Sequence, residues 1–383
     1  MDFRIPAEII EELASYKDFV SNRLTPNLGG WYAQKQIPRE FFVELGANGW
    51  LGLQSRDQEL REHNPLKAAL LMEHLGTVSP GVGVAVLAHV SLGTQAIILF
   101  GNDTQKELYL PFAARGETLI CLGNTEPGAG SDVASIAATA TKVEGGWILK
   151  GVKSFVTNGY ISDLAVVTAV SDPEAGRSSR ISMFLVDLGS KGISRTKLHK
   201  EVWIPSDLTR IKLEEVFVPD ANLLGRRGRG LQQVLEIFTN SRITIAALTL
   251  GTAEGGFRKG VEHARKRQAF GNRLIEFQAK SFEIADFYSK IESIRMLLWK
   301  TCWEKEQGMD FRLGASIAKY LSVEAARAIG LWAADLFGAA SVIYEHPIHK
   351  YPMDAWASSL GEGTQDIQKL IIFRELMKQD MPW

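Results

Sequence analysis

Hydrophobic and polar positions divide the chain into three stretches. From residue 8 to about 115 the period is helical: Ile9, Ile10, Leu13 and Phe19 recur near 3.6, and Pro38 opens PREFFVELGANGW at a favourable first-turn position. Residues 66–75 and 104–112 continue in the same way. From Thr118 the runs TLICLGN, GGWILKG, KSFVTN, DLAVVTAV, ISMFLVDL and TRIKLEEVFVP are short and rich in Val, Ile, Phe and Thr. Each closes on Gly, Asp, Ser or Pro, which marks strands between turns. No helix of useful length separates them, so the pattern predicts an antiparallel sheet or barrel, not a doubly wound α/β domain. After Asn222-Leu-Leu-Gly225 the helical period returns, with Ile284, Phe287, Ile291, Ile294, Leu298 and Cys302 on one stripe. The chain then stays helical to about Lys378, apart from a loop expected at 344–354. The expected organisation is α+β: an all-α domain over 1–117, a β domain over 118–225 and a helical, bundle-like domain over 226–383.

Composition adds mostly exclusions. The 383 residues leave room for a sizeable core, and 43 Lys plus Arg against 44 Asp plus Glu give a net charge of -1. That balance gives no electrostatic reason to expect nucleic acid or an anionic membrane as partner. Two cysteines, Cys121 and Cys302, make neither a disulfide framework nor a cysteine zinc site, and no metal is expected. The most apolar stretch, 82–100, is broken by His89, Ser91, Thr94 and Gln95, so it reads as a buried helix rather than a membrane span. The start, MDFRIPAEIIEELASYKDF, shows no signal-peptide core, and cytoplasm is the expected compartment.

Four segments carry candidate chemistry. Asn124-Thr-Glu-Pro-Gly-Ala-Gly-Ser-Asp132 leaves a strand with open backbone N–H groups beside the Thr125 and Ser131 hydroxyls, which can cradle an anion. No helix follows the glycines, so this is no dinucleotide fingerprint, and an ordinary Gly-Pro hairpin explains it equally well. In Lys153-Ser-Phe-Val-Thr-Asn-Gly159, Asn158-Gly159 predicts a hairpin. Phe155 and Thr157 fall on one strand face, suited to stack on and bond a planar cofactor, or simply half-buried. Ala264-Arg-Lys-Arg-Gln-Ala-Phe-Gly271, followed by Ile275 and Gln278, reads as a basic helix end, a Gly stop and a new start. Basic residues there are favourable without a ligand; binding a phosphate is the alternative. Leu360-Gly-Glu-Gly-Thr-Gln-Asp-Ile-Gln368 sets a carboxylate between two glycines, with Thr364 or Asp366 placed to cap the following helix.

In this order and spacing the four segments resemble the acyl-CoA dehydrogenase flavoprotein family over nearly the whole chain. Thr-Glu-Pro-Gly-Ala-Gly-Ser-Asp is similar to its flavin loop, and Phe-Val-Thr-Asn-Gly to its Trp-Ile-Thr-Asn-Gly strand. Arg267-Gln-Ala-Phe270-Gly271 matches its Arg-x-x-Phe-Gly element, and Gly361-Glu-Gly-Thr364 resembles its catalytic Tyr-Glu-Gly-Thr loop. The resemblance implies an FAD enzyme that dehydrogenates an acyl thioester, acyl-CoA or acyl-carrier protein, with electron-transfer flavoprotein as acceptor and a homotetrameric dimer of dimers. By similarity, Glu362 takes the α proton while the flavin accepts the β hydride. The Glu362 N–H and a flavin ribityl hydroxyl would polarise the thioester carbonyl. Thr157 would bond the flavin edge, and Phe155 would pack on the ring. Leu122, Thr125 and Ser131 would line the flavin or the thioester channel, and Thr364 would meet the dinucleotide near its phosphates. Arg267, Phe270, Gln278 and Gly338 would reach the FAD of a neighbouring subunit. Ser131, Ser241, Arg242, Gly361 and Gly363 are the expected substrate contacts. The family also uses a second place for its base; here that place falls at Ser241, which cannot abstract an α proton, leaving Glu362 as the candidate.

Departures from the family pattern concentrate on the substrate side. Phe155 replaces Trp, Asp335 replaces Gln, Ala339 replaces a second glycine, and Met353-Asp354 replaces Arg-Asp. Lys200-Glu-Val-Trp-Ile-Pro-Ser-Asp207 lacks the usual Gly and Arg, and a Pro-Glu-Glu-Tyr-Gly-Gly stretch is missing near 54–64. Gly361 stands where a bulky aromatic is common, which leaves space for a short branched, cyclic or polar acyl group unless another side chain fills it. Two other functions fit the fold: a flavin-dependent oxidase or monooxygenase, whose members commonly lack the glutamate, and a catalytically silent flavin-binding homologue.

Overall fold

Among the described residues, helices dominate the chain as far as Ala114. In the computed structural model, which describes residues 4–51, 64–344 and 346–378, α1 (Ala7–Phe19) runs through a π-turn at Val20–Leu24 into α2 (Thr25–Gln34). There follow α3 (Arg39–Ala47), α4 (Pro65–Val78), α5 (Pro80–Leu87), α6 (Gln95–Phe100) and α7 (Asp103–Ala114). The stretch 54–63, singled out above for its missing motif, lies outside the described residues. Local chemistry sets the starts. Asn64 accepts from the Lys67 N–H at 3.0 Å ahead of Pro65, and Asn102 and Gln105 cap each other's backbone around α7. α5 and α6 join through a π-helical segment into one helix, Pro80–Phe100, with 83% of its apolar window buried, as expected for a core helix.

The middle of the chain gives β1 (Ile120–Gly123), β2 (Thr139–Val143), β3 (Gly146–Thr157), β4 (Leu164–Val170), β5 (Ile181–Asp187), β6 (Ile193–Lys197), β7 (Leu208–Pro219) and β8 (Leu223–Leu224). Their order is β6-β7-β3-β2-β4-β5-β8, with β1 beside β4. The sheet is mixed, which corrects the antiparallel expectation: β1 runs parallel to β4, and β2 meets β4 in one parallel pair. A parallel neighbour requires a long return path, and residues 124–163 supply it. The hairpin expected at Asn158-Gly159 is also corrected. Asn158 does take the left-handed turn, at φ 62°, but β2 lies between β3 and β4, so the turn closes no hairpin. Its buried amide instead donates to Ala85 O in α5 at 2.6 Å, turning the chain onto the first domain.

The last third holds α8 (Gly230–Lys266), a ribbon of β9 (Gln268–Ala269) and β10 (Asn272–Arg273), α9 (Gln278–Glu306), α10 (Arg312–Phe337), α11 (Lys350–Ser358) and α12 (Gln365–Leu376). Gly271 is therefore a ribbon tip beside Phe270, not a helix stop, and the loop expected at 344–354 is already helical from Lys350. α8 crosses α4 backbone to backbone: a Cβ on Gly76, Gly251 or Gly255 would collide with main-chain atoms of the facing helix. Arg295 of α9 pins the crossing by bridging Glu73 and Glu254, each at 2.7 Å. On α9 the stripe of Ile291, Ile294, Leu298 and Cys302 is buried, as its period requires. Arg39 ties the first domain to the sheet through Asp163, at 2.7 and 3.0 Å.

Candidate active site

The carboxylate loop lies between α11 and α12 and is held from three sides. Glu362 sits at φ 54° and Gly363 at φ 91°, a reversal that L residues adopt rarely and that needs support. Lys319 of α10 supplies it: its ammonium donates to Gly361 O at 2.6 Å and to Gly363 O. The Gln368 amide donates to Glu362 O at 3.2 Å and Gly363 O at 3.0 Å. Thr364 closes the loop by accepting from the Ile367 N–H, as a cap of α12. The backbone is thereby fixed while the Glu362 side chain turns inward to α8, where the Ser241 hydroxyl donates to Oε2.

Crowding decides the electrostatics of this carboxyl. Glu362 keeps some surface as a residue, but its carboxyl group is shut in by protein, and burial pushes its pKa up to about 7. The Ser241 hydrogen bond and the charges of Lys319 and Arg242 oppose that rise. Burial likewise pushes Lys319 down to about 8, against the attraction of Glu362. Arg242 is buried and donates to Thr239 Oγ1 at 3.1 Å, while its Nε finds no acceptor among the described residues.

A second group gathers where β1 and β3 end. The Ser154 N–H donates to Thr125 O at 2.8 Å, so the Pro-Gly loop lies against the Phe155 strand. That loop is anchored by its own glutamate: Glu126, buried, accepts from Ala137 and Ala138 N–H at 2.7 and 3.0 Å and pairs with Lys153 at 2.6 Å. Beyond the anchor the loop is open: among the described residues, flanking positions apart, none comes within 4 Å of a Cβ built on Gly128 or Gly130, and Ser131 is exposed. A bulge between Lys153 and Val156 interrupts the strand alternation. It leaves Phe155 at φ 56° and 62% exposed, while Thr157 is half-buried beside Leu208 of β7. Leu122 is half-buried on β1.

The third group lies at the far end of α8 and α10. Arg267 and Gly338 line one cavity of about 350 Å³ with Leu274, Lys280, Asp335 and Phe337. Phe270, at the ribbon tip, is 95% exposed, and Gln278 is exposed at the start of α9. The described residues thus bring Glu362, Ser241, Arg242, Gly361 and Gly363 into one centre, and Thr125 and Phe155 into another. Arg267 and Gly338 stand apart from both.

Two participants carry little sequence signal. Lys319 is a single lysine on the buried Ala315, Ala318, Ser322, Ala326 side of α10, and its partners are carbonyls of a distant loop. Among the described residues, flanking positions apart, Trp203, in the loop before β7, is the one neighbour within 4 Å of a Cβ built on Gly361, at 4.0 Å from its Cη2. The space left by the missing aromatic at 361 therefore has a ring beside it.

A shielded carboxylate near neutrality, next to hydroxyl and guanidinium groups, suits abstraction of a weakly acidic proton. The family profiles agree in kind: Acyl-CoA dehydrogenase N-terminal, middle and C-terminal domains match residues 8–117, 121–216 and 228–377. A short-chain specific acyl-CoA dehydrogenase of Clostridium acetobutylicum is 30% identical over 380 residues, 99% of this chain and 100% of that protein. An L-prolyl-[peptidyl-carrier protein] dehydrogenase of Serratia sp. is 30% identical over 389 residues, covering 98% of each. The solved structure described as PigA with FAD and proline superposes with a TM-score of 0.93 at 29% identity, covering 98% of this chain and 99% of that one. Profiles that together span most of the chain, and relatives matched over nearly their full length, place it plainly: this chain belongs to the acyl-CoA dehydrogenase family.

Proposed function

We propose that the enzyme dehydrogenates an acyl thioester at its α and β carbons, with Glu362 as the base. The observation that carries this reading is the Glu362 carboxyl itself, enclosed by Ser241, Arg242 and Lys319, with its pKa raised to about 7. A base with that pKa is substantially ionised at neutral pH yet still basic enough to hold the proton it takes. Ser241 fixes one carboxylate oxygen by hydrogen bonding, leaving the other for the substrate. Lys319 and Gln368 hold the loop so that the Glu362 N–H can meet the thioester carbonyl, lowering the cost of negative charge there.

The residues present fit FAD. Phe155 offers an exposed apolar ring in a strained turn of a well-anchored strand, and the open Gly128–Gly130 loop lets backbone N–H groups approach an anion. Leu122, Thr125, Ser131 and Thr157 would hold the flavin side, with Thr364 nearer the phosphates. Arg267, Phe270, Gln278 and Gly338 would serve the FAD of a partner subunit. When bound, FAD supplies the acceptor for the hydride that leaves the β carbon. In this reading Phe270, 95% exposed at the ribbon tip, and the cavity lined by Arg267 form the surface that meets a neighbouring subunit in a dimer of dimers. Electron-transfer flavoprotein is our reading of the electron acceptor and the cytoplasm of the location. Both CoA and carrier-protein thioesters remain within the proposal, as the relatives act on each. Anaerobic titration of the holoenzyme with a panel of both thioester classes tests it: bleaching of the visible flavin band is expected, and a flavin that no thioester bleaches would refute the reading.

A further inference from the structure

Trp203 stands on the loop Leu198–Asp207 between β6 and β7, and the effort spent in seating it is unusual for a surface loop. Its backbone adopts φ 49°, a region unfavourable for a bulky L residue. Three groups hold it there. Asp354 of α11 accepts from the Trp203 N–H at 2.6 Å, the Lys200 ammonium donates to Trp203 O, and the Ser206 hydroxyl donates to the same oxygen at 2.9 Å. Both charged groups are themselves unfavourably buried: Asp354 is pushed up to about 6 and Lys200 down to about 8 by burial. On the far side, Gly81 of α5 allows the loop to approach, since a Cβ there would lie 2.6 Å from Pro205 Cδ and 2.9 Å from Trp203 C. Among the described residues the indole N–H is buried without an acceptor, as are those of Trp147 and Trp299.

All of this places the outer edge of the indole against Gly361, the residue preceding the proposed base. We infer that Trp203 is the specificity-determining wall of the acyl pocket, delivered from the β domain in place of the aromatic that the carboxylate loop lacks. The reading rests on Glu362 being the base, because the reacting carbons must then lie beside Gly361. A wall at that point limits how far an acyl chain extends past its β carbon, so the substrate class is a short acyl thioester. A Cβ at 361 would already meet the indole edge at 4.0 Å, so a ring extended from 361 towards Trp203 would compete with it for space.

The test compares rate constants for anaerobic flavin reduction by butyryl-CoA and octanoyl-CoA, with crotonyl-CoA and octenoyl-CoA affinities read from the flavin spectrum. Trp203→Ala should raise the octanoyl-to-butyryl ratio by ~10-fold or more, the size of effect that a few added methylenes have in an apolar pocket. Trp203→Phe, which keeps a ring, should leave the ratio within ~3-fold of wild type. Gly361→Tyr should impair the wild type, yet restore the short-chain preference when combined with Trp203→Ala, a non-additivity expected only of residues in contact. Should Trp203→Ala lose FAD, Trp203→Leu carries the same comparison. A wild-type ratio in Trp203→Ala, with both thioesters bleaching the flavin, would overturn the assignment and leave Glu362 as base untouched. A wild type bleached by no thioester would instead refute the underlying reading.

Discussion

Lys319→Met keeps the length of the side chain and removes the ammonium that ties the carboxylate loop. Two energies oppose each other. The lysine pKa falls from 10.5 to about 8 through burial despite the attraction of Glu362, a net cost of holding the charge on the order of 3 kcal/mol, which the methionine relieves. Against it stand two charge-assisted hydrogen bonds, to Gly361 O and Gly363 O, each contributing roughly 1.5–3 kcal/mol. Gly363 O keeps the Gln368 amide at 3.0 Å, so part of the loop survives. The net loss of global stability should be only about 1–2 kcal/mol, as when buried charges elsewhere are exchanged for apolar groups. The base should change more. Burial still raises Glu362, and with one of its two positive neighbours gone its pKa climbs further above about 7. A base works only when deprotonated, so the rise of rate with pH should move alkaline by about 1 unit, the lower end for one opposite charge. Single-turnover anaerobic flavin reduction from about pH 6 to about pH 9 measures this, beside urea unfolding. A pH profile that stays in place while stability falls would reduce Lys319 to a structural tie and refute the argument.

Three further outcomes follow from named contacts. Glu126→Gln removes the charge that holds up the Lys153 pKa, already pushed down to about 8 by burial, so the lysine must lose its proton or stay buried unpaired; this should cost about 3–5 kcal/mol in urea unfolding, and a loss below about 1 kcal/mol contradicts the anchoring role. Arg267→Ala should lower both FAD content and oligomer mass on gel filtration, and a monomeric wild type saturated with FAD would contradict it. Because the folded-state pKa of Glu362 is raised from 4.5 to about 7, its stabilising protonated form is fully present below 4.5 and lost as pH rises through about 7. Glu362→Gln should therefore gain thermal stability relative to wild type near about pH 8 and lose that advantage near about pH 4, and equal differences at both pH values would be inconsistent with a buried carboxylate.

The division into helical, β and helical stretches follows from hydrophobic period alone, since burial on one face imposes 3.6 or 2 regardless of topology. Pairing does not follow from it. Asn158 supplied correct turn chemistry, yet its amide found α5 rather than a hairpin partner, because the choice of neighbour is settled by contacts 73 residues away. The parallel placement of β1 has the same cause. In the site, Glu362 and Ser241 were legible as two places for one function only through the resemblance, and they meet across 121 residues. Lys319 was not legible: its partners are backbone carbonyls, which leave no trace in residue type. Nor was Trp203, whose loop departs from the family pattern and whose significance appears only beside a glycine's empty Cβ direction. Glu126 and Lys153 each lay within a motif already singled out, but the structural work of the pair was hidden behind the cofactor roles expected of their neighbours Thr125, Ser131, Phe155 and Thr157.

The central claim is that Glu362 takes the α proton, and Glu362→Gln addresses it directly. Glutamine keeps the shape and still accepts from Ser241, but it has no basicity. The purified variant should retain FAD and bind the acyl thioester, while its anaerobic flavin reduction slows by at least ~100-fold, the lower end for loss of a general base. Reduction at close to the wild-type rate, with FAD and thioester binding intact, would place the base elsewhere and contradict the assignment of this site.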